Sequence, residues 1–242
     1  MKLEIGYNQS FEIRKEIYPA KSQENFDILF LSDLHFNGFT KGMISKIASA
    51  IHELNPSIIL FGGDYIDSKK GLNYLKDLLS SISDRDNMFA IAGNHDYFFG
   101  IDKVEETFLA NNVKWIEKKS TTLNIKNIKI RIDGNIVCKR TRNEDFSILL
   151  LHKPKQLEQF KDYYNIAFAG HLHGCQFVFW RSGNNLYPGR LIYKNNFLKH
   201  RQADCDYFIS KGAGDAVPVR YNCKRDILLL QVTNSNTKTT AQ

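Results

Sequence analysis

Residues 26–35 read FDILFLSDLH, and this stretch predicts both a buried strand and a site at its end. The run FDILFL is almost continuously apolar, which is typical of a strand covered on both faces of a sheet. Asp33 and His35 follow it directly, two positions apart. A carboxylate and an imidazole so close in one loop can reach the same metal ion. The stretch therefore predicts metal ligands at the carboxyl end of a buried strand.

Four further stretches repeat this pattern. Their apolar runs are residues 58–61, 88–91, 148–151 and 166–169. The segments that end these runs are GDYID at 63–67, GNHD at 93–96, the single residue His152, and GHLH at 170–173. Five of the seven histidines lie at such strand ends. Because α/β proteins bind ligands just beyond the carboxyl ends of their strands, we predict a metal site there.

The segments between and after these strands predict an α/β fold. Apolar residues recur at helical spacing in 41–54, 71–82 and 102–111, and a short helix is expected at 155–163. Further strands are expected at 11–18 (an edge strand), 123–125, 128–132, 176–180 and 227–232. The polar tail, residues 233–242, is expected to fray. Since no repeat or linker interrupts the chain, we expect one domain over residues 1–242.

Composition and charge are typical of a soluble globular protein. The 242 residues are 43% hydrophobic and 24% charged, and the net charge is +7. This basic excess favours phosphates, nucleic acid or anionic membrane surfaces as partners, although a solvated lysine-rich surface explains it equally well. The cysteines show neither a close pair nor zinc-finger spacing, so we expect reduced thiols: Cys138, Cys175, Cys205 and Cys223.

The first residues carry no apolar segment long enough for a signal peptide or a membrane span. We therefore expect a cytoplasmic protein. A peripheral contact at the inner membrane face stays open, and the sequence does not indicate an oligomeric state.

A centre with two metal ions suits these segments chemically. Such a centre needs one ligand shared by both ions and separate carboxylate and imidazole ligands for each. Ions roughly 3.5–4 Å apart acidify a bridging water and hold the oxygens of an in-line displacement at phosphorus. First-row ions such as Mn²⁺ and Fe²⁺ accept this mixture of oxygen and nitrogen ligands. Mn²⁺ is our first candidate, with Fe²⁺ or Zn²⁺ as alternatives. These residue types therefore predict a metal-dependent hydrolase of phosphoric esters.

The ordered set D-x-H, G-D-x-x-D, G-N-H-D, H and G-H-x-H resembles the calcineurin-like metallophosphoesterase superfamily over residues 26–175. The resemblance implies a four-layer α/β sandwich, in which helices flank two mixed β-sheets. It also implies a ligand set. Asp33, His35 and His173 would hold one ion, Asp64 would bridge, and Asn94, His152 and His171 would hold the other.

The same resemblance implies roles for the residues beside the ligands. His95 would not bind metal but would face the substrate, either stabilising phosphoryl charge or protonating the leaving oxygen. Asp96 would assist it. Asp67 would orient ligands or His95 through hydrogen bonds. Alternatively, Asp67 and Asp96 simply cap turns.

Residues 170–176, 212–214 and 218–223 are similar to a bacterial branch of the superfamily. That branch includes manganese phosphoesterases associated with the cell wall and a UDP-2,3-diacylglucosamine pyrophosphatase of lipid A synthesis. The chain departs from the branch at Leu172 and Cys175, where threonine and glycine are more usual, and this bears on substrate choice. The resemblance implies a small phosphorylated substrate, with a nucleotide-linked lipid precursor as one candidate.

Several alternatives stay open at this point. The reaction is hydrolysis of a phosphodiester, a pyrophosphate or a phosphomonoester, whereas a metal-dependent nuclease is the second hypothesis and a silent scaffold the third. Residues 176–193 form either an apolar substrate rim or, as we prefer, an ordinary β-hairpin packed into the second sheet. Arg190 and Arg220 are candidate phosphate contacts, because a guanidinium binds phosphate through two hydrogen bonds.

Overall fold

The computed structural model describes residues 2–7, 10–20, 24–140 and 143–234. The strands are β1 (Leu3–Ile5), β2 (Glu12–Ala20), β3 (Phe26–Leu31), β4 (Ile58–Phe61), β5 (Met88–Ala90), β6 (Lys114–Trp115), β7 (Ser120–Ile125), β8 (Ile128–Gly134), β9 (Phe146–Leu150), β10 (Ile166–Ala169), β11 (Val178–Ser182), β12 (Asn185–Pro188), β13 (Lys199–Gln202), β14 (Cys205–Ile209), β15 (Val219–Tyr221) and β16 (Asp226–Asn234). The helices are α1 (Gly42–Leu54), α2 (Lys69–Ser81), α3 (Asn94–Phe99), α4 (Ile101–Leu109) and α5 (Gly189–Ile192), with 3₁₀ turns at Leu157–Gln159 and His173–Cys175.

Two six-stranded mixed sheets form the body of the protein. The first has the order β2-β16-β3-β4-β5-β6, and the second has the order β13-β14-β10-β9-β8-β7. Strands β3, β4, β5 and β6 run parallel in the first sheet, and β8, β9, β10 and β14 run parallel in the second. Parallel strands place their carboxyl ends at one edge of each sheet. Each sheet therefore presents a row of strand ends from which a site can be built.

Apolar side chains fill three layers around these sheets. Phe30, Phe89, Ile148 and Phe168 belong to a buried cluster contributed by both sheets, which packs them face to face. A second cluster joins the outer face of the first sheet to α1, α2 and α4. A third cluster, which includes Phe160, covers the outer face of the second sheet. Burial of strands on both faces explains their nearly continuous apolar sequences.

The predicted fold class is confirmed, as are the three amphipathic helices and the five strands that precede the ligands. The edge strand is also confirmed, because β2 forms one edge of the first sheet and pairs with β16 along nine residues. The predicted tail begins too early, because β16 continues through Thr233 and Asn234. Residues 235–242 lie outside the described part of the chain.

The helix predicted at 155–163 is wrong: the segment holds only the single 3₁₀ turn. Phe160 leaves the helical region with φ −144°, and its ring packs edge-on against Tyr164 and Tyr207. Burying these aromatic rings against the second sheet outweighs the local helical pattern.

Residues 176–193 do form a hairpin, but β11 and β12 make a separate two-stranded sheet instead of joining the second sheet. Val178 and Leu186 pack with Cys223 beneath it. Phe179 and Trp180 stay exposed. The expected packing into the second sheet is therefore wrong.

Candidate metal centre

The predicted ligands lie at the carboxyl ends of five parallel strands, three from the first sheet and two from the second. Asp33 and His35 follow β3, Asp64 follows β4, and Asn94 begins α3 after β5. In the second sheet, His152 follows β9, and His171 and His173 follow β10. Contacts join the two rows, since the backbone N–H of His171 donates to the Asp33 carboxylate at 2.9 Å. The structure thus brings residues that are up to 140 positions apart into one place.

Backbone in the left-handed region directs several of the predicted ligand side chains into the site. Positive φ angles occur at five of them: Asp33 (56°), His35 (46°), Asp64 (56°), His171 (72°) and His173 (50°). This region is uncommon for residues with a Cβ atom, and such strain concentrates at functional sites. Hydrogen bonds between loops hold it in place: the Asp33 N–H donates to the Gly63 carbonyl at 2.9 Å, and the His35 N–H donates to the Asp64 carbonyl at 3.0 Å.

Two glycines allow the loops after β4 and β5 to approach each other. Gly63 has φ +93°, and a Cβ atom there would lie 2.5 Å from the Gly93 nitrogen. A Cβ atom on Gly93 would lie 2.2 Å from a carboxylate oxygen of Asp64. Both positions are therefore closed to any side chain, because an added Cβ would clash with backbone or with a ligand.

One group of predicted ligands, here called the first cluster, consists of Asp33, His35 and His173. All three are buried. The Nε2 atoms of His35 and His173 lie 3.1 Å apart, and His173 Nε2 lies 3.6 Å from Asp33 Oδ1. His35 Nδ1 donates to Asp67 at 2.9 Å, which turns its Nε2 toward the other two ligands.

A second group, the second cluster, consists of Asn94, His152 and His171. His152 Nε2 lies 3.0 Å from Asn94 Oδ1, and the rings of His152 and His171 are 5.1 Å apart. His152 Nδ1 donates to the Gly62 carbonyl at 2.9 Å, which leaves Nε2 as the ligand atom. Asn94 is exposed and His171 is half-buried, so this cluster opens to solvent.

Asp64 lies between the two clusters. Its Oδ2 atom is 3.3 Å from Nε2 of His152 and 3.9 Å from Nε2 of His35. A single carboxylate oxygen is thus within reach of an imidazole from each side. That is the position required of a ligand shared by two ions.

The donor set fits a pair of divalent ions. Metal–ligand bonds of about 2.0–2.2 Å place neighbouring ligand atoms about 3.0–3.5 Å apart. The contacts among the ligand atoms of the two clusters and Asp64 lie close to this range. The atoms offered are carboxylate and amide oxygens and imidazole nitrogens, and first-row divalent ions accept that mixture. Asp33, His35 and His173, and likewise Asp64, His152 and His171, are grouped closely enough to hold an ion.

Asp67 connects the first cluster to His95. Its Oδ1 atom accepts from Nδ1 of His95 at 2.7 Å and from Nδ1 of His35 at 2.9 Å. Burial raises the pKa of Asp67, but these two hydrogen bonds outweigh it and hold the pKa at about 2. The hydrogen bond to Asp67 in turn raises the pKa of His95. One ionised carboxylate therefore orients a ligand and favours the protonated form of the histidine beside it.

Asp96 lies behind Asp64 and is fully buried. Its oxygens accept the backbone N–H groups of Asp64, Tyr65 and Gly93 at 2.8–2.9 Å. Burial raises the pKa of Asp96 to about 7, against the effect of these three donors. The observed contacts make Asp96 a clamp between the loops after β4 and β5, and the catalytic role expected for it stays a prediction.

The histidine side chains of the two clusters differ in their pKa values. Burial lowers the pKa of His171, helped by the charge of His152, to about 4. Burial also lowers the pKa of His173, with His35 and Arg220 acting in the same direction. His152 behaves oppositely: burial disfavours its charged form, but Asp64 and Asp33 raise the pKa to about 9. A divalent ion would replace this positive charge between the carboxylates.

The two arginines proposed to contact phosphate have other partners. Arg220 is fully buried; its Nε donates to Asp215 at 2.6 Å, and its Nη2 lies 3.1 Å from Nδ1 of His173. Arg190 lies in α5 with its guanidinium 5.8 Å from the ring of Phe197. The geometry thus places Arg220 behind a ligand. Phosphate contact by either arginine stays a prediction.

Asn135 is a member of the site that the sequence analysis missed. Its side-chain oxygen accepts the backbone N–H of His152 at 2.9 Å, and its amide group donates to the Ala92 carbonyl and to Glu117. It therefore ties the loop that carries His152 to the loop before Asn94. The sequence did contain a signal for Asn135. A glycine and a polar residue, Gly134 and Asn135, stand at the end of β8, as similar pairs follow other strands that carry predicted ligands.

The nuclease hypothesis draws on the basic net charge, and the sequence offers only one short basic cluster for it, KRTR at residues 139–142. Arg140 lines a cavity of about 570 Å³ together with Phe146 and Asn165, which stand at the amino ends of β9 and β10. Thr141 and Arg142 lie outside the described residues. The described part of this cluster is thus at the opposite end of the strands from the metal ligands.

Fold and site together define a class of protein: an α/β sandwich hydrolase that acts on phosphoric esters with metal ions. The sequence profile of the calcineurin-like phosphoesterase family matches residues 26–192. The chain belongs to this family of metal-dependent phosphoesterases, and the expected resemblance is confirmed.

Relatives support a bacterial branch. The phosphodiesterase YaeI of Escherichia coli is 27% identical over 227 residues, which cover 86% of this chain and 82% of that protein. The UDP-2,3-diacylglucosamine pyrophosphatase LpxG of Chlamydia muridarum is 38% identical over 73 residues, which cover 29% of this chain and 22% of that protein. Among solved structures, the NAD nucleotidase of Haemophilus influenzae shares the fold with a TM-score of 0.52 at 11% identity, covering 78% of this chain and 45% of the other.

Among the described residues, no helix is both long and apolar enough to cross a bilayer. The four cysteines are free thiols.

Proposed function

We propose that this protein hydrolyses a phosphodiester or pyrophosphate bond in a small substrate and uses two divalent ions, with Mn²⁺ as the first candidate. The observation that supports this most directly is the position of Asp64, whose Oδ2 lies within 3.3 Å and 3.9 Å of imidazoles from the two clusters. A carboxylate oxygen placed between two groups of imidazoles is what a ligand shared by two neighbouring ions requires. When bound, the two ions would supply an acidified water as nucleophile and positive charge for the phosphoryl oxygens.

The residues of the chain divide the remaining work. Asp33, His35 and His173 would hold one ion, and Asn94, His152 and His171 would hold the other, with Asp64 between them. His95 is next to Asn94 and partly exposed, so it can meet a substrate that the ligands cannot reach directly. Because Asp67 favours its protonated form, His95 would stabilise phosphoryl charge and donate a proton to the leaving oxygen.

The choice of a diester or pyrophosphate over a monoester comes from the relatives. YaeI, which aligns with most of this chain, is a phosphodiesterase, and LpxG is a pyrophosphatase that acts on UDP-2,3-diacylglucosamine. The shared feature of those substrates is a phosphorus bridged through oxygen to two groups, which are two organic groups in a diester and one organic group and a second phosphoryl group in a pyrophosphate. We propose UDP-2,3-diacylglucosamine as the first natural substrate to test.

A panel of substrates tests the proposal. Purified protein loaded with Mn²⁺, Fe²⁺ or Zn²⁺ is given bis(4-nitrophenyl) phosphate, 4-nitrophenyl phosphate, nucleotides and UDP-2,3-diacylglucosamine, and products are identified by mass spectrometry. We expect turnover of the diester or the pyrophosphate to exceed that of the monoester, and we expect Asp64→Ala to lose it. Faster turnover of the monoester would overturn the choice of substrate class. An absence of turnover with every substrate and metal would overturn the proposed function.

A further inference from the structure

Four large apolar side chains are strongly exposed at the edge of the sheets that carries the metal ligands. They are Phe98 (83% exposed), Leu191 (74%), Ile192 (73%) and Phe39 (71%), here called the apolar rim. Three segments supply them: Phe39 lies between β3 and α1, Phe98 lies in α3, and the other two lie in α5. Exposed apolar groups of this size, grouped around a site, commonly mark an interaction surface.

Phe98, the part of the apolar rim in α3, is connected to the metal centre through its own helix. Helix α3 begins at Asn94, and the ring of Phe99 lies 6.3 Å from the ring of His95. Phe98 packs edge-on against Phe99 at 5.0 Å and projects beyond it. Phe99 thus borders His95, and Phe98 lies beyond Phe99, toward solvent.

Phe39 marks the second part of the rim. It stacks on Tyr7 with ring centroids 5.7 Å apart and planes inclined by 10°. Its backbone N–H donates to Oδ1 of Asn37 at 2.9 Å, and the Asn37 amide donates to the backbone carbonyl of His35 at 3.1 Å. Phe39 is therefore linked through one residue to the first cluster.

Helix α5 supplies the third part. Its first residue, Gly189, is packed so closely against Cys175 that an added Cβ would lie 2.5 Å from the Cys175 sulfur. Cys175 is two residues after the ligand His173. Leu191 and Ile192 follow Gly189 in this helix, and both are strongly exposed to solvent.

Cations accompany the apolar rim. Lys41 is two residues from Phe39, Lys70 packs with its Cδ near Gly38, and Lys194 follows α5. All three are exposed, as is Lys153 beside the ligand His152. Two carboxylates lie near α3: Glu117 accepts from the hydroxyl of Tyr97 at 3.1 Å, and Asp102 is next to Lys103. The edge thus combines projecting apolar side chains with several exposed lysines.

This combination fits a lipid surface with negative charge. Bulky apolar side chains enter the interface between head groups and acyl chains, while lysines next to them pair with anionic head groups. The rim consists of side chains projecting from separate segments, whereas a protein partner's hot spots lie in closely packed pockets. The exposed lysines favour an anionic bilayer over a neutral one.

We propose that the apolar rim docks the metal centre onto an anionic lipid bilayer, so that the substrate is an amphiphile whose phosphorus lies at the level of the head groups. The class of substrate rests on the proposed function, whereas the docking is independent of it. The apolar rim anchors the protein by insertion, the lysines provide the attraction, and the ligands face the phosphate layer.

Vesicle flotation tests the docking. The full chain is mixed with phosphatidylcholine vesicles, with or without one third phosphatidylglycerol, and the bound fraction is measured. The test variant is Phe98→Ser combined with Leu191→Ser, and the matched control is Ile17→Ser combined with Leu109→Ser. The control side chains are also exposed and apolar, but they lie on β2 and at the far end of α4.

We expect wild type and control to bind the anionic vesicles and the test variant to bind roughly tenfold more weakly. Salt should weaken binding, because the lysine contribution is screened. Equal binding by the test variant, or no binding by wild type, would overturn the proposal. A concentration-dependent dimer that the test variant abolishes would assign the apolar rim to a second copy of the chain and overturn it as well.

Activity assays separate this proposal from the proposed function. Turnover of soluble bis(4-nitrophenyl) phosphate should be equal in wild type, control and test variant. Turnover of an acylated phosphodiester embedded in anionic vesicles should fall several-fold in the test variant only. Vesicle binding without hydrolysis of any substrate would contradict the proposed function and leave the docking intact. Hydrolysis without vesicle binding would contradict the docking and leave the proposed function intact.

Discussion

The first and second clusters differ in how they are enclosed. In the first cluster all three ligands are buried, and two of them are backed by charged groups, His35 by Asp67 and His173 by Arg220. In the second cluster Asn94 is exposed and His171 is half-buried, and the polar contact behind His152 is a backbone carbonyl. Outer partners of this kind fix ligand orientation and raise metal affinity.

We therefore expect the two halves of the centre to hold metal differently. The first cluster should retain its ion, and the second should exchange its ion readily because water and substrate reach it. Asp64 belongs to neither half, and its loss should affect both. The following predictions test this division, beginning with the largest effect.

Asp64→Ala should lower turnover roughly 10⁴-fold, because the only carboxylate between the clusters, among the described residues, is removed. Metal content, measured by elemental analysis, should fall at both clusters. Asp77→Ala, at an exposed position on α2, is the control and should keep its metal and its activity. Loss of metal at one cluster alone would show that Asp64 belongs to that half.

His95→Ala should lower turnover roughly 10²–10³-fold, the usual contribution of a positioned acid, while both ions stay bound. The comparison of elemental analysis and steady-state kinetics checks this. If the variant lost an ion, His95 would be a metal ligand and the division of roles proposed above would be wrong.

Asp96→Asn should destabilise the protein by about 2–4 kcal/mol, because an amide NH₂ would face backbone N–H groups that now donate to a carboxylate oxygen. Chemical denaturation measures this free energy. Asp102→Asn, an exposed control, should change it little. An equally stable Asp96→Asn variant would contradict the clamp inferred for Asp96.

Asp67→Asn should weaken metal binding at the first cluster about 10–100-fold and leave the second cluster unchanged. The reason is that Asp67 accepts from Nδ1 of His35 and touches no ligand of the second cluster in the hydrogen bonds described. Chelator competition resolves the two affinities. Equal weakening at both clusters would show that they behave as one unit.

The smallest effect concerns pH. Because the folded pKa of Asp67 is about 2, below its ordinary value of 3.8, its ionised form stabilises the folded state above the ordinary value. That contribution is lost as the pH falls from 3.8 toward 2. Thermal unfolding in the presence of chelator should therefore show a steeper loss of stability in wild type than in Asp67→Asn over this range. Parallel curves would contradict it.

The sequence located the strands and the candidate ligand residues because both signals are local. Apolar runs such as 26–31 need no partner to be recognised, and the residue types after them state their chemistry. Helix α3 was missed because six residues, NHDYFF, are too few to show a helical period. The helix expected at 155–163 failed for the opposite reason, since its apolar residues pack against the second sheet without forming a helix.

Other parts of the site depend on contacts between distant segments. Asn135 supports His152 across 17 positions, and Arg220 contacts His173 across 47. The partnership of Arg220 and Asp215 also buried a guanidinium that the sequence had suggested for phosphate. Polar partners of this kind cannot be identified from spacing, because many residues of suitable type lie at every distance along the chain.

By itself, the sequence determined the order of strands, the carboxyl ends that carry ligands, and the kinds of ligand atom available. Spacing alone could not decide which ligands share an ion. Asp33 and His35 are two residues apart and enter one cluster, whereas His171 and His173, at the same spacing, enter different clusters. The family resemblance implied this division, but only the tertiary structure shows its physical reason: sheet order and left-handed backbone at these residues set the direction of each side chain, and both depend on packing between the two sheets.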